Sequence, residues 1–296
     1  MNPWIDQPFV KMHGSGNDFV LLDDRNGRFS EDLSPGAIQC LCRRKSGIGA
    51  DGIVLIQISD AGDFKARFFN SDGSEADMCG NGGRCAARFA RYMDAAPRHM
   101  TVETRAGLLH ASILDGGRVR IQMPQPYGLV LDEELLVQQR LTRISSVNTG
   151  VPHAVLLVDD IEAMPVMTLG RSIRYHERFQ PLGTNTNFVR VLQPDTLTIR
   201  TYERGVEDET LACGTGAVAA VLVCTKKGTV RPPVSVHTAG GENLTVDVVP
   251  DPASEFGHVF LEGNTAFVYS GRISVEAVPS MASLEAQGYG QDGRKR

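Results

Sequence analysis

Met78-Cys79-Gly80-Asn81-Gly82-Gly83 and Ala212-Cys213-Gly214-Thr215-Gly216-Ala217 are two near-copies of one motif. An Ala/Arg/Phe-rich run follows the first and an Ala/Val/Leu-rich run follows the second. Each reads as a loop feeding a helix, with Cys-Gly at the helix mouth. The match extends upstream. Arg67-Phe-Phe-Asn70 resembles Arg200-Thr-Tyr-Glu203, and Glu75 and Glu209 each stand four residues before their cysteine. A duplicated thiol at a helix N-terminus predicts two related half-proteins, each contributing one sulfur to a site between them.

Outward from these motifs, each half reads as many strands and one dominant helix. Val10 to Asp23 is strand, turn, strand around Gly14-Ser-Gly16-Asn17. Ser34 to Arg44 fits a helix, with Ser34 as N-cap and Pro35 in the first turn. Ile53–Ile58 and Phe64–Phe69 are strands, Cys79–Met93 is a helix, and Thr101–Thr104, Leu108–Leu114 and Arg118–Met123 form a meander turning at Asp115-Gly-Gly117. Pro124-Gln-Pro126 marks a link. In the second half, Val155–Val158, Asn187–Leu192 and Leu197–Tyr202 are strands, and Cys213–Lys227 is a helix. Val234–Thr238, Leu244–Val249, Val259–Glu262 and Phe267–Val275 are further strands. The expected fold is α+β, with two pseudo-symmetric domains. Each is a strongly curved, mostly antiparallel sheet around a central helix, and the active site lies in the interdomain cleft. A doubly wound sheet is not expected, because β-α alternation is missing. The N-terminal domain spans residues 1–123, with a strand at about 265–277 returning to it. The C-terminal domain spans 124–264, and 287–296 is a disordered tail.

Composition narrows the function classes. The chain has 296 residues, 42% hydrophobic and 22% charged, an ordinary mix with material for two cores. A net charge of −5 gives no reason to expect nucleic acid as a partner. The longest apolar run, Ala217–Cys224, falls far short of the ~20 residues of a membrane span. The N-terminus lacks the basic and apolar regions of a signal peptide, so the expected location is cytoplasmic. The six cysteines show no paired C-x2–4-C spacing of a structural zinc site. Cys40, Cys42, Cys85 and Cys224 read as buried small apolar residues.

A helix mouth offers unpaired N–H groups and partial positive charge, and its glycines admit a ligand close to the backbone. Such a mouth binds a carboxylate and favours the thiolate of a cysteine placed there. Two mouths sharing one carboxylate would set a sulfur on each face of the carbon that bears it. That arrangement suits two-base racemisation or epimerisation, with one cysteine as thiolate base and the other as thiol acid. A lone Cys-Gly at a helix start is usually structural; two matched copies argue for function. Gly47-Ile-Gly49-Ala-Asp-Gly52 matches G-x-G-x-x-G, but follows a helix and precedes a strand, the reverse of the dinucleotide context.

At this point the residues resemble a known family. Lys11-Met-His-Gly-Ser-Gly-Asn17-Asp-Phe, Phe69-Asn70-Ser-Asp-Gly-Ser-Glu75, Met78-Cys-Gly-Asn-Gly82 and Tyr202-Glu-Arg-Gly-Val-Glu-Asp-Glu-Thr-Leu-Ala-Cys-Gly-Thr-Gly216 resemble the signatures of diaminopimelate epimerases. The likeness runs from about Phe9 to Gly271. It implies an isomerase that takes LL-2,6-diaminopimelate to the meso form, in lysine and peptidoglycan synthesis, without pyridoxal phosphate, metal or other cofactor. It implies Cys79 and Cys213 as the acid/base pair, and Gly80, Asn81, Gly214 and Thr215 as the clamp on the reacting carboxylate. Asn17, Asn70, Asn185, Glu203 and Arg204 become substrate contacts, and His153 and Glu203 tune the thiols. It also implies a homodimer. The chemistry of the residues agrees: Arg204 suits a distal carboxylate and Glu203 a distal ammonium.

Two positions depart from the family pattern. Many members carry Asn at the position of Val151 and Gln at the position of Gly52. Three other readings compete. A proline racemase-like enzyme typically shows His in place of Asn81 and Ser-Pro before its second cysteine, where this chain has Leu211-Ala212. An amino-acid-binding module would use the cysteines structurally. A redox sensor would join them in a disulfide.

Overall fold

The computed structural model describes residues 4–29 and 33–277, so the tail at 287–296 lies outside the described residues. The chain divides into two compact units. One runs to Val119 and resumes at Asn264; the other is Arg120–Gly263.

In the first unit, β1 (Pro8–Gly14) and β2 (Asn17–Asp23) form a hairpin. Its two-residue loop, Ser15 and Gly16, has φ of 59° and 82°, the double positive φ that a tight right-twisted hairpin requires. α1 (Pro35–Cys42) follows, with the Ser34 side chain accepting from Ala37 N–H as an N-cap. It stops at Cys42, short of the expected Arg44, because Arg43 already has extended φ/ψ. β3 (Gly52–Gln57) runs parallel to β2, and β4 (Phe64–Asn70) runs antiparallel to β3. The short β5 (Glu75–Ala76) folds back on β4 and leads into α2 (Gly80–Tyr92). β6 (His99–Thr104) lies parallel to β4, and β7 (Gly107–Ile113) closes on β6. β8 (Arg118–Gln122) carries the chain into the second unit.

The second unit repeats this order after an added strand, β9 (Tyr127–Val137), which pairs with β10 (Arg140–Asn148). β10 and β11 (Pro152–Leu157) match β1 and β2, and α3 (Val166–Arg174) matches α1. β12 (Asn185–Gln193) lies parallel to β11, β13 (Thr196–Glu203) antiparallel to β12, and the short β14 (Asp208–Thr210) folds on β13. Then come α4 (Gly214–Lys226), β15 (Val234–Thr238) parallel to β13, β16 (Asn243–Val249), and β17 (His258–Arg272). Each parallel and antiparallel pairing from β1 to β7 recurs from β10 to β16. β17 is one continuous strand where two were expected, and its Thr265–Arg272 segment pairs with β1.

The strand pleat explains the layering. Val20, Leu22, Ile53 and Leu55 pack with Ile38 and Leu41 of α1, Trp4 and Phe29. The alternate residues Leu21, Val54 and Ile56 are also buried, and α2 packs on β1–β4 and β7. In the second unit, Ala154, Leu156 and Phe188 meet Val166 and Ile173 of α3, while α4 packs on β10–β13 and β16. Ala217 to Cys224 is buried on every side, as expected for a helix apolar all round. Each fully buried Val or Leu there contributes about 1.5–3 kcal/mol.

Candidate active site

Each special cysteine is the N-cap of the buried helix of its unit. Behind each stands the same brace. Arg67 Nε and Nη2 donate to Glu75 at 2.8 and 3.0 Å, and Arg200 makes the same fork to Glu209 at 2.7 and 2.8 Å. The fork pins β5 to β4 and β14 to β13, so the chain enters each helix from a fixed strand end. It explains the upstream sequence match. The bond from Arg67 holds the Glu75 carboxyl below the usual carboxylate range.

At the first mouth, Cys79 is half-buried and its Sγ accepts from Gly82 N–H at 3.4 Å. The thiol also lies 3.9 Å from Asn17 Oδ1, which accepts from Asn81 Nδ2 at 3.4 Å. Asn17 is oriented from outside: its Nδ2 donates to Asp51 at 2.7 Å, leaving Oδ1 toward the thiol. Asp51 is held by Arg44 at 2.6 Å, which also forks onto Asp18. Burial opposes ionisation of Asp18, but bonds from Arg44 and Lys11 outweigh it and hold the carboxyl well below the usual range. Asn81 is oriented by Arg84, a fully buried guanidinium that donates to Asn81 Oδ1 at 2.9 Å, Ser15 Oγ at 2.6 Å and the Gly80 carbonyl at 3.2 Å. Asn17, Cys79, Gly80 and Asn81 thus form one group. Asn70 stands outside it, exposed at the end of β4 and donating to Ser74 Oγ at 2.9 Å.

At the second mouth, Cys213 is buried and makes no side-chain cap bond; its Sγ lies 3.5 Å from Thr215 Oγ1. Thr149 Oγ1 donates to the Thr215 carbonyl at 3.0 Å and ties the β10–β11 loop to the mouth. Asn185 and Arg204 come together, with Arg204 N–H donating to Asn185 Oδ1 at 2.7 Å. The Arg204 side chain donates to the Leu182 carbonyl at 2.9 Å, and Glu203 accepts from Thr210 at 2.9 Å. His153 pairs in register with Asn185 and is buried. Burial, aided by the charge of Arg204 and against a bond from Asn187, pulls its pKa down to about 3. His153 is therefore a neutral ring at physiological pH.

These two mouths, with their matched braces, occur in a chain whose residues 9–128 and 145–263 match the family model for diaminopimelate epimerase. The chain belongs to the diaminopimelate epimerase family. A diaminopimelate epimerase of Aquifex aeolicus (strain VF5) is 45% identical over 285 residues, covering 91% of this chain and 99% of that protein. One from Archaeoglobus fulgidus is 41% identical, covering 89% and 95%. Among solved structures, a probable proline racemase from Agrobacterium radiobacter K84 superposes with a TM-score of 0.69 at 13% identity, covering 94% and 97%. A hydroxyproline epimerase from Agrobacterium vitis superposes with 0.68 at 14%, covering 93% and 96%. At that identity these structures share the fold.

Within the family frame, Gly52 has a local reason: a Cβ there would sit 2.4 Å from the Phe69 carbonyl. Sequence reasoning missed Asp51, Arg84 and Asn187. Asn187 was within reach, since Asn185 and Asn187 alternate on one face of a strand otherwise buried. Among the described residues, no group of three or more His, Cys, Asp and Glu side chains is arranged to hold a metal ion. No described helix is long and apolar enough to cross a membrane.

Proposed function

We propose that this chain interconverts LL- and meso-2,6-diaminopimelate without a cofactor, by a two-base proton exchange at one α-carbon. Cys79 and Cys213 are the two bases. The observation that carries the reading is the repeated Cys-Gly helix mouth, set at the same point of a repeated strand and helix order. Family membership supports the choice of substrate.

The thiolate of one cysteine takes the α-proton, and the electron pair of the broken C–H bond spreads onto the carboxylate. The thiol of the other cysteine delivers its proton to the opposite face, leaving the first protonated. The reverse reaction exchanges the roles. Charge growing on the carboxylate meets the first-turn N–H groups at Gly80, Asn81, Gly214 and Thr215. By analogy with oxyanion holes, each aimed donor contributes roughly 3 kcal/mol. Asn17, Asn70, Asn185, Glu203 and Arg204 hold the substrate, with Arg204 on the distal carboxylate and Glu203 on the distal ammonium. His153 and Glu203 tune the thiols, and the neutral state of His153 makes its contribution that of a dipole, not a charge. On the family resemblance, we extend the reading to a cytoplasmic homodimer serving lysine and peptidoglycan synthesis.

The test is incubation of the reduced protein with LL-diaminopimelate in deuterium oxide, without added cofactor. Deuterium at one α-carbon together with meso product is the expected result, and Cys79→Ala and Cys213→Ala each abolish meso formation. Folded protein with free thiols that yields neither deuteration nor meso product overturns the reading in favour of an amino-acid-binding module. Full activity in either alanine variant overturns the two-base assignment.

A further inference from the structure

Behind the mouth of α4 runs a buried polar chain that the proton exchange does not itself require. Asn187, on β12, is fully buried. Its Nδ2 donates to the Ala154 carbonyl at 2.9 Å and lies 3.1 Å from His153 Nδ1. Its Oδ1 accepts from the Thr201 hydroxyl at 3.0 Å. A backbone carbonyl only accepts, so the Ala154 bond fixes which end of the amide is nitrogen. That nitrogen then offers its second hydrogen to His153 Nδ1, which must accept it and carries no proton. In a neutral imidazole the proton is then on Nε2.

His153 Nε2 is buried and has no hydrogen-bond partner among the described residues. Buried donors are nearly always paired, so this one calls for an acceptor that arrives from outside the chain. The surroundings indicate its kind. His153 is in register with Asn185, which is bonded to Arg204, and the Arg204 charge acts on the ring. An oxygen of a carboxylate drawn to Arg204 is the fitting acceptor. Asn187 also touches the helix mouth: a Cβ on Gly216 would lie 2.4 Å from Asn187 Oδ1 and 3.2 Å from Cys213 Sγ. The amide is thus the shared support of the imidazole and of the turn that carries the thiol.

We propose that Asn187 is a positioning residue: it fixes His153 as the neutral Nε2–H tautomer and reserves that donor for a carboxylate oxygen of the bound substrate. The substrate role rests on the epimerase reading; the tautomer does not. A wrong tautomer at a catalytic imidazole can cost on the order of 10⁴-fold in rate, which sets the scale.

The test uses the full chain labelled with ¹⁵N and long-range ¹H–¹⁵N spectra of the imidazole rings, with His153 assigned by its loss in His153→Gln. The expected spectrum has Nδ1 bare and Nε2 protonated throughout the neutral range. An Nδ1–H tautomer, or a ring that takes a second proton in that range, overturns the proposal. Asn187→Asp swaps the donor for an acceptor of equal size. The expected result is a proton on Nδ1, a kcat lower by roughly 10²–10⁴-fold, and an altered pH profile of kcat/KM. A folded Asn187→Asp protein with the parent tautomer, or with the parent rate and pH profile, overturns it. Thr201→Val leaves both Nδ2 bonds in place and is expected to keep the parent tautomer; a changed tautomer there also overturns it. A parent protein without α-proton exchange sinks the epimerase reading, while the ring spectrum still judges the tautomer.

Discussion

Gly216→Ala and Gly82→Ala make the same change at the same position of the two helix mouths, three residues after the N-cap cysteine. Alanine gains about 0.5–1 kcal/mol over glycine inside a helix, so both changes start with a credit. The surroundings then separate them. At 82, the new Cβ would lie 3.1 and 3.3 Å from carbons of the Phe68 ring, and a shift of a few tenths of an ångström relieves the contact. The net effect there is within about 1 kcal/mol. At 216, the Cβ would lie 2.4 Å from Asn187 Oδ1, which must retreat by about 0.6 Å merely to reach 3.0 Å. The amide cannot swing aside freely, since it is bonded to Thr201, His153 and Ala154. Overpacking costs about 1–3 kcal/mol, and a buried polar group left unpaired costs about 1–3 more. Less the helix credit, the net loss is about 1–5.5 kcal/mol, or roughly 2–22 °C in Tm for units of this size. Thermal unfolding of the three proteins by circular dichroism measures it. A Gly216→Ala protein melting within about 2 °C of the parent, or a Gly82→Ala protein more damaged than it, refutes the account of Asn187 as a locked support.

Acid stability is expected to carry a signature of His153. The ring stays neutral in the fold down to about pH 3, while the unfolded chain takes the proton near pH 6.5. Stability is therefore unaffected by this group above about pH 6.5 and falls toward pH 3 by up to about 1.4 kcal/mol per pH unit. Urea titrations between neutral pH and about pH 4.5, above the Asp18 window, should show this slope in the parent and less of it in His153→Gln; equal slopes would falsify the assignment. Thiol labelling should sort the cysteines. Burial pushes Cys42 up to about 12 and Cys224 up to about 11, so peptide mapping after iodoacetamide at mildly alkaline pH should find both unlabelled in the folded protein. Labelling of either at the rate of half-buried Cys79 contradicts their burial. Arg204→Ala is expected to raise KM on the order of 10–100-fold while leaving Cys79 alkylation unchanged; an unchanged KM removes Arg204 from the distal end of the substrate.

The helix mouths were legible in the sequence because their requirements are local: an N-cap residue, glycines behind it, and a glutamate four residues before it. Three features were hidden for physical reasons. The β9–β10 hairpin turns at Gln138 and Gln139, with φ of 49° and 63°, where glycine or asparagine would have signalled the turn. The segment of α3 begins after Pro165 and contains Gly170, which reads as a helix breaker. Gly170 is there for packing, because a Cβ would lie 2.5 Å from Tyr202 Cβ. A break was expected between Glu262 and Phe267, where Gly263-Asn264 stands, yet backbone pairing continues past it as β17. Asp51, Arg84 and Asn187 share another cause. Asp51 and Asn187 act on an amide and an imidazole brought near by tertiary folding, and Arg84, though it reaches Asn81 within its own helix, is buried only by the fold.

The two mouths are alike in backbone and unlike in the side chains around the sulfur, and on the proposed two-base reading that difference bears on how each thiol exchanges its proton. Cys79 receives an N–H from Gly82 and has the oxygen of an oriented amide, Asn17, within reach of its proton. It is therefore provided for in both protonation states: the donor favours thiolate and the acceptor favours thiol. Cys213 lacks the cap bond and has beside it a hydroxyl, Thr215, that can donate or accept. A rotating hydroxyl meets the same two demands with one group. Each thiol thus has partners for the charged and the neutral form, as the proposed exchange between base and acid would require. The repeated frame supplies the position of the sulfur, and the residues that differ between the copies supply its proton balance.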